Sequence, residues 1–385
     1  MTYGNGLNQA VVLDAAPFRT KYLQLPIIRE FVRDRQTMKT KLLLAGAGLL
    51  AAGLAHAQTN VTIYGIADAG VEFLTNAGGD DDNVFRMSSG NLSGSRIGFR
   101  GTEDIGGGLK GVFLLENGFD IDTGALGQNG RLFGRQAYVG LQGDFGAITL
   151  GRQQNALYDV IIKYDPMAFA SRYSALSHDP LFTGRADNAI KYTGNFGPVI
   201  ATAFYSFGRN ADGEVPGSTK VSRNVGAGVA YASGPFGVGF AYDQFQGNTV
   251  ATAGDSARRM AVGGSYEMGP VKGFVGYRWL KDELVAAGTP NVRSNMYWVG
   301  ASWDASPALK LTGVVYHTDR RDSGADPTSL VLSADYALSK RTDVYLTVGH
   351  ARNKSGSNLG LNGFGSSIIA GENQSGVIAG VRHRF

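Results

Sequence analysis

The side chains able to do chemistry are few and scattered. The chain has no cysteine, so it has no thiol nucleophile and no thiolate metal site. Of its five histidines, His178, His317 and His350 stand in separate segments, His56 lies in an apolar N-terminal stretch and His383 near the C-terminus. None is spaced from a hydroxyl or carboxylate in the manner of a hydrolytic site, and no enzymatic activity is expected. The run GTEDIGGGLKG at 101–111 lacks the GK[ST] ending of a phosphate loop and reads as a turn. Asp80, Asp81 and Asp82 could offer oxygens to Ca²⁺, but three adjacent carboxylates lack the ligand spacing of a calcium loop. No metal and no cofactor is expected. What remains is one long stretch, Gln153 to Asp187, which carries Asp159, Asp165 and Asp179 among aromatic residues. Connections usually run to about 4–6 residues, and a much longer one inside a compact domain is usually functional.

The elements that position this stretch are strands. In VTIYGIADAGVEF, Val61, Ile63, Ala67, Ala69, Val71 and Phe73 share one face, while Thr62, Tyr64, Asp68 and Glu72 share the other. A period of two with one apolar face is a strand between two environments. The pattern recurs and predicts strands near 60–74, 84–103, 108–122, 131–143, 146–152, 187–194, 198–208, 222–232, 236–246, 255–268, 271–281, 293–304, 308–319, 328–338, 341–352 and 373–385. About sixteen strands falls within the range of outer-membrane barrels. Short links such as Gly143–Gly146 and Gly269-Pro270 alternate with long polar loops such as 209–221, 282–292 and 354–372. Short turns at one end and long loops at the other mark an up-and-down transmembrane barrel. Its predicted lumen face carries Asp68, Glu72, Arg96, Arg100, Lys272, Arg278, Arg382 and Arg384, too many charges for a dry core. Glu116 shares parity with Val112 and Leu114; the cost of a carboxylate in lipid places it inward. Ile378 breaks the alternation of the last strand with no reason visible in the sequence. The Gln153–Asp187 stretch, which does not alternate, is expected to fold into the barrel mouth and narrow a water-filled pore; an ordinary surface loop is the alternative.

The N-terminus carries an address. Met38-Lys39-Thr40-Lys41 is a basic start, Leu42–Leu54 an apolar core, and Ala55-His56-Ala57 a cleavage site before Gln58. This is a Sec-type signal peptide over 38–57. The expected mature barrel is 58–385, and residues 1–37 read as an upstream extension from a mis-assigned start or as a disordered segment. Outside this region no apolar run reaches the roughly 18 residues of a membrane helix. The net charge of +4 is scattered rather than blocked, and with an exported address it gives no reason to expect nucleic acid as a partner.

The segments VTIYGIADAG at 61–70, SRIGFRGTEDIGGGLK at 95–110, GRLFGRQAYVGLQGDFGAITLGRQ at 130–153 and the terminal VRHRF together resemble the trimeric general porins of Gram-negative outer membranes. The resemblance implies an all-β, 16-stranded antiparallel transmembrane β-barrel with an inward-folded third loop. It implies a homotrimer, embedded among outer-membrane lipids and lipopolysaccharide, that passes small hydrophilic solutes and ions. Phe385 resembles the signal read by the outer-membrane assembly machinery. In the family, a basic wall faces acidic residues of the inward loop. Arg96, Arg100, Arg152 and Lys191 would form the basic side, and Asp159 and Asp165, with Glu116 bracing the wall, the acidic side. Gln136 stands where some anion-selective members carry a second basic residue, which limits the implied anion preference to a weak one. A substrate-specific channel and a barrel used as an adhesin are the other functions that fit the pattern.

Overall fold

The computed structural model describes residues 60–77, 82–210, 214–286, 289–363 and 368–385. The expected signal peptide, the Gln58 start and Asp80 and Asp81 lie outside them. One antiparallel sheet contains every strand: β1 (Asn60–Leu74), β2 (Val84–Ser89), β3 (Arg96–Gly106), β4 (Leu109–Gly118), β5 (Gln136–Gly143), β6 (Gly146–Gln154), β7 (Arg185–Phe196), β8 (Val199–Ser206), β9 (Asn224–Ser233), β10 (Phe236–Gln246), β11 (Ser256–Met268), β12 (Val271–Asp282), β13 (Val292–Asp304), β14 (Leu309–Arg320), β15 (Thr328–Ala337), β16 (Thr342–Arg352) and β17 (Gln374–Arg384). Each pairs with its chain neighbour, and β17 pairs with β1, so the sheet closes. Both β2 and β3 pair with β1, β2 along 69–74 and β3 along 60–66. They are two halves of one stave, which makes a sixteen-stave barrel.

The sequence predicts that stave as one strand, 84–103. The structure interrupts it at Gly90–Ser95, and Asp68 is the reason. Its carboxylate accepts the amides of Leu92 and Ser93 at 2.9 and 2.8 Å, its carbonyl accepts the Gly90 amide at 2.7 Å, and Tyr345 donates its hydroxyl at 2.5 Å. The bent segment satisfies its backbone on a side chain instead of the ladder, as a buried backbone must.

The alternation sorts the two faces as a barrel in lipid requires. Ile63 is 62% exposed, whereas Asp68 and Glu72 are fully buried. Three of the short links are Gly-Pro steps in which Gly197, Gly234 and Gly269 have φ of +61°, +54° and +58°. Only glycine adopts that region without cost, and the following proline fixes the exit. At closure, Gly65 and Phe385 exchange backbone hydrogen bonds at 2.9 and 3.1 Å. The Phe385 ring lies where a Gly65 side chain would stand.

The core sits against the wall, not within it. The β6–β7 connection contains α1 (Ala156–Ile161), capped by Asn155 accepting the Tyr158 amide, and α2 (Ala175–His178), capped by Ser174 accepting the Leu176 amide. Leu157, Ile161, Tyr173 and Phe182 of this connection are fully buried in one cluster with Trp298, Tyr316, Tyr345 and Val331 of the strands. Ile378 belongs to that cluster, which accounts for its break in the alternation. Each such apolar side chain contributes about 1.5–3 kcal/mol on burial, so apolar packing carries a large share of the seating of the connection beside its buried ion pairs. Room for it comes from missing side chains on the wall: a methyl at Gly239 or Gly263 would stand 2.5 Å from Tyr164.

Gly263→Val should therefore destabilise the protein by about 1–3 kcal/mol through overpacking. Gly254→Val, at an exposed site with nothing within 4 Å, should leave stability unchanged. Urea unfolding followed by tryptophan fluorescence distinguishes the two, and equal midpoints would refute the packing account.

Candidate functional site

The connection from Asn155 to Gly184 is tied to strands around the barrel by polar contacts, each made by a side chain on the face opposite the exposed apolar one. Lys191 of β7 meets Asp159 at 2.5 Å. Trp298 of β13 donates its indole N–H to the Tyr164 carbonyl at 2.9 Å. Tyr316 of β14 donates to Asp165 at 2.5 Å. His178 bridges Thr318 of β14 and Ser329 of β15 at 2.8 and 2.9 Å. Asp179 lies between Arg259 of β11 and Arg278 of β12 at 2.9 and 3.1 Å. On the far side, Glu72 of β1 accepts from Arg172 and Tyr173, both at 3.1 Å, and from Arg86 at 2.7 Å.

Beside the connection lies a cavity of about 760 Å³, lined by Arg86, Arg96, Arg135, Arg172 and Arg185, with Asp120 as the only carboxylate among the described residues that line it. Arg86 and Arg172 share Glu72, and Arg135 holds Glu116 at 2.6 Å. Arg96 donates to the Gly94 carbonyl at 2.8 Å. Among the described residues neither Arg96 nor Arg185 has a carboxylate in ion-pair reach.

The residues singled out from the sequence fall in several places. Arg96 lines the cavity. Glu116 bonds Arg135 and accepts the Tyr64 hydroxyl at 2.7 Å. Arg100 stands away from the cavity, exposed, with its guanidinium 5.3 Å from the centre of the Tyr64 ring. Arg152 would face lipid by simple alternation, but a bulge between Gly151 and Gln153, with Gly151 at φ +131°, turns it. Its side chain reaches Asp187 at 2.6 Å and the Gly134 carbonyl at 2.7 Å.

Asp159 and Lys191, expected on opposite walls, are paired with each other. Asp165 is 2% exposed and accepts from Tyr316 and from the Phe169 amide at 2.8 Å, with burial pushing its carboxyl up to about 6. It is a structural carboxylate within the connection. Arg135, Arg172 and Arg185 were not singled out from the sequence. Arg135 falls inside the predicted strand 131–143, where alternation would give it the outward parity of Ala137, but β5 begins only at Gln136 and leaves Arg135 outside the ladder; Arg172 lies in the non-alternating connection, where parity has no meaning.

A profile of the Gram-negative porin family matches residues 43–356. An outer membrane porin protein of Bordetella pertussis is 32% identical over 401 aligned residues, covering 91% of this chain and 100% of its own. The chain belongs to the Gram-negative porins. Outer membrane porin protein 32 of Delftia acidovorans is 33% identical, over 90% of this chain and 99% of its own. The solved anion-selective porin from Comamonas acidovorans superposes with a TM-score of 0.74 at 28% identity, over 85% of this chain and 100% of that one. The porin is an outer-membrane protein of Gram-negative type, and its exposed apolar strand faces are the surface that meets lipid.

The anchor at Asp179 is the most demanding of these contacts. Burial by itself would raise its carboxyl; Arg259 and Arg278 override that and hold it below the usual range. Its contribution to stability is thus present above the unfolded-chain value of about 4 and is lost only as pH falls through the lower folded value. Asp179→Asn leaves two buried guanidinium groups without a counter-charge and should cost about 3–5 kcal/mol. Asp322→Asn, at an exposed ion pair with Arg293, should leave stability nearly unchanged, since a solvated pair is screened. Urea unfolding at neutral pH checks both; equal effects would mean that Asp179 is not an anchor.

Proposed function

We propose that this porin is a passive diffusion channel for small hydrophilic solutes and ions, that residues 155–184 fold into its lumen as the constriction, and that the constriction weakly favours anions. The cavity beside that connection carries the reading, because its five arginines outnumber the carboxylates that line or pair with them. Charge fixed at a narrow aqueous passage between low-dielectric walls sets ion preference. The similar Comamonas acidovorans porin is itself described as anion-selective. The basic side of the constriction is then Arg96, Arg135 and Arg185, with Arg100 and Arg152 further along, and Glu116 braces Arg135. The acidic side is weaker than opposed walls would give, since Asp159 is already paired and Asp165 is buried.

We also infer a homotrimer, each protomer enclosing its own pore. Small outward residues of β1 would let barrels approach closely; Ala67 and Ala69 remain for that role, while Phe385 covers Gly65. A native mass of three protomers in mild detergent is expected, and a stable monomer would count against it.

Planar-bilayer recordings test the channel reading. Arg96→Ala with Arg185→Ala should move the reversal potential in a salt gradient toward cation preference, and Arg96→Ala with Arg100→Ala should move it less. Asp159→Asn frees Lys191 and should move it toward anions, whereas Asp165→Asn should not move it. All shifts should shrink at 1 M salt, where the Debye length is about 3 Å. Deleting residues 156–177 should raise conductance and admit larger solutes. An unmoved reversal potential in the Arg96 and Arg185 pair would refute the basic wall, and an unchanged conductance after the deletion would put the connection outside the lumen.

A further inference from the structure

We propose that the outward face of β13–β16 seats one phospholipid of the periplasmic leaflet, with an acyl chain in a groove and the phosphate at an adjacent basic rim. The groove, about 480 Å³, crosses four strands. Register aligns two outward rows across them: Ala301, Gly313, Leu332 and Val348 in one, and Trp303, Leu311, Ala334 and Leu346 in the next. Ala301, Gly313 and Ala334 step across the rows and leave a trough between the larger side chains. The hydroxyl of Ser333 bonds Thr347 on the opposite face at 2.8 Å, so it does not make the trough polar.

The location names the occupant. This face of an outer-membrane barrel lies in hydrocarbon, and an unfilled trough there would forfeit dispersion contacts with its walls. The short links mark the periplasmic end of such barrels, and Trp303 and Tyr336 stand one residue before β13 and β15 end. Aromatic residues at that depth mark the headgroup region. In the next short link, 338–341, Lys340 and Arg341 are both exposed, and among the described residues neither has a carboxylate in ion-pair reach. The nearby carboxylates, Asp335 and Asp343, are occupied by Arg382 and Arg384. His383 sits at the same rim, 2.9 Å from the Thr342 hydroxyl. An apolar trough ending at two uncompensated cations matches a phospholipid that presents a chain and a phosphate together.

Native mass spectrometry of the intact porin, released from nanodiscs of phosphatidylethanolamine and phosphatidylglycerol, tests this. The wild type should retain one phospholipid per protomer. Gly313→Leu, which puts a side chain into the trough, should abolish retention with conductance unchanged; Ala334→Phe makes the same comparison if the first variant does not assemble. Lys340→Gln with Arg341→Gln should lower retention by about five-fold per charge removed. A wild type that emerges without lipid, or trough variants that retain as much as the wild type, would overturn the proposal. So would Gly313→Leu dissociating the oligomer while the wild type carries no lipid, since the trough would then be a subunit contact. Equal retention by the charge variant would overturn the assignment of the phosphate to the rim.

Discussion

A backbone in hydrocarbon must satisfy its own hydrogen bonds, and the rest of this structure follows from that requirement. An open sheet would leave two unpaired edges in lipid; pairing β17 with β1 removes both. Closure divides the side chains of every strand between lipid and an enclosed space. The apolar set faces outward, and the polar set, including Asp68, Glu72, Arg278 and Arg382, is left facing inward. These groups then need water, partners or both.

The partners have a recurring form. Glu72 holds Arg86 and Arg172; Asp179 holds Arg259 and Arg278; Asp187 holds Arg131 and Arg152; Asp343 holds Arg382 and Arg384. At Glu72, Asp179 and Asp187 one carboxylate shared by two guanidinium groups fixes both in place but neutralises only one. At Asp343 a second carboxylate, Asp335, also pairs with Arg382 and balances the charge. The unbalanced arrangement gives rigidity and an excess of positive charge at the same positions. Two of these pairs, at Glu72 and Asp179, also fasten the β6–β7 connection, so the contacts that fasten it share in the charge beside it.

Much of the fold was legible because a strand records its two environments residue by residue. The predicted spans 60–74 and 236–246 coincide with β1 and β10, and most others differ by one or two residues at an end. The departures occur where something other than the ladder satisfies the chain. Asp68 interrupts the second stave, the bulge after Gly151 turns Arg152, and the packed connection makes an inward apolar residue of Ile378. In each case the cause is a residue far away in sequence or a local backbone twist, and neither leaves a mark on a period of two.

The sequence by itself determined the sheet, its sidedness, the alternation of short and long links, and the one connection that does not alternate. These are properties of neighbouring residues, and the pleat converts them directly into faces. Tertiary structure alone decided which charges meet. Asp159 and Lys191 are 32 positions apart in number and could equally have opposed each other across a gap; the path of the connection brings them into contact. It also decided that Asp165 is buried under Tyr316 and that Arg135, Arg172 and Arg185 gather at one cavity. Ion pairing depends on distances of a few ångströms between segments remote in the chain, and sequence spacing carries no information on that scale.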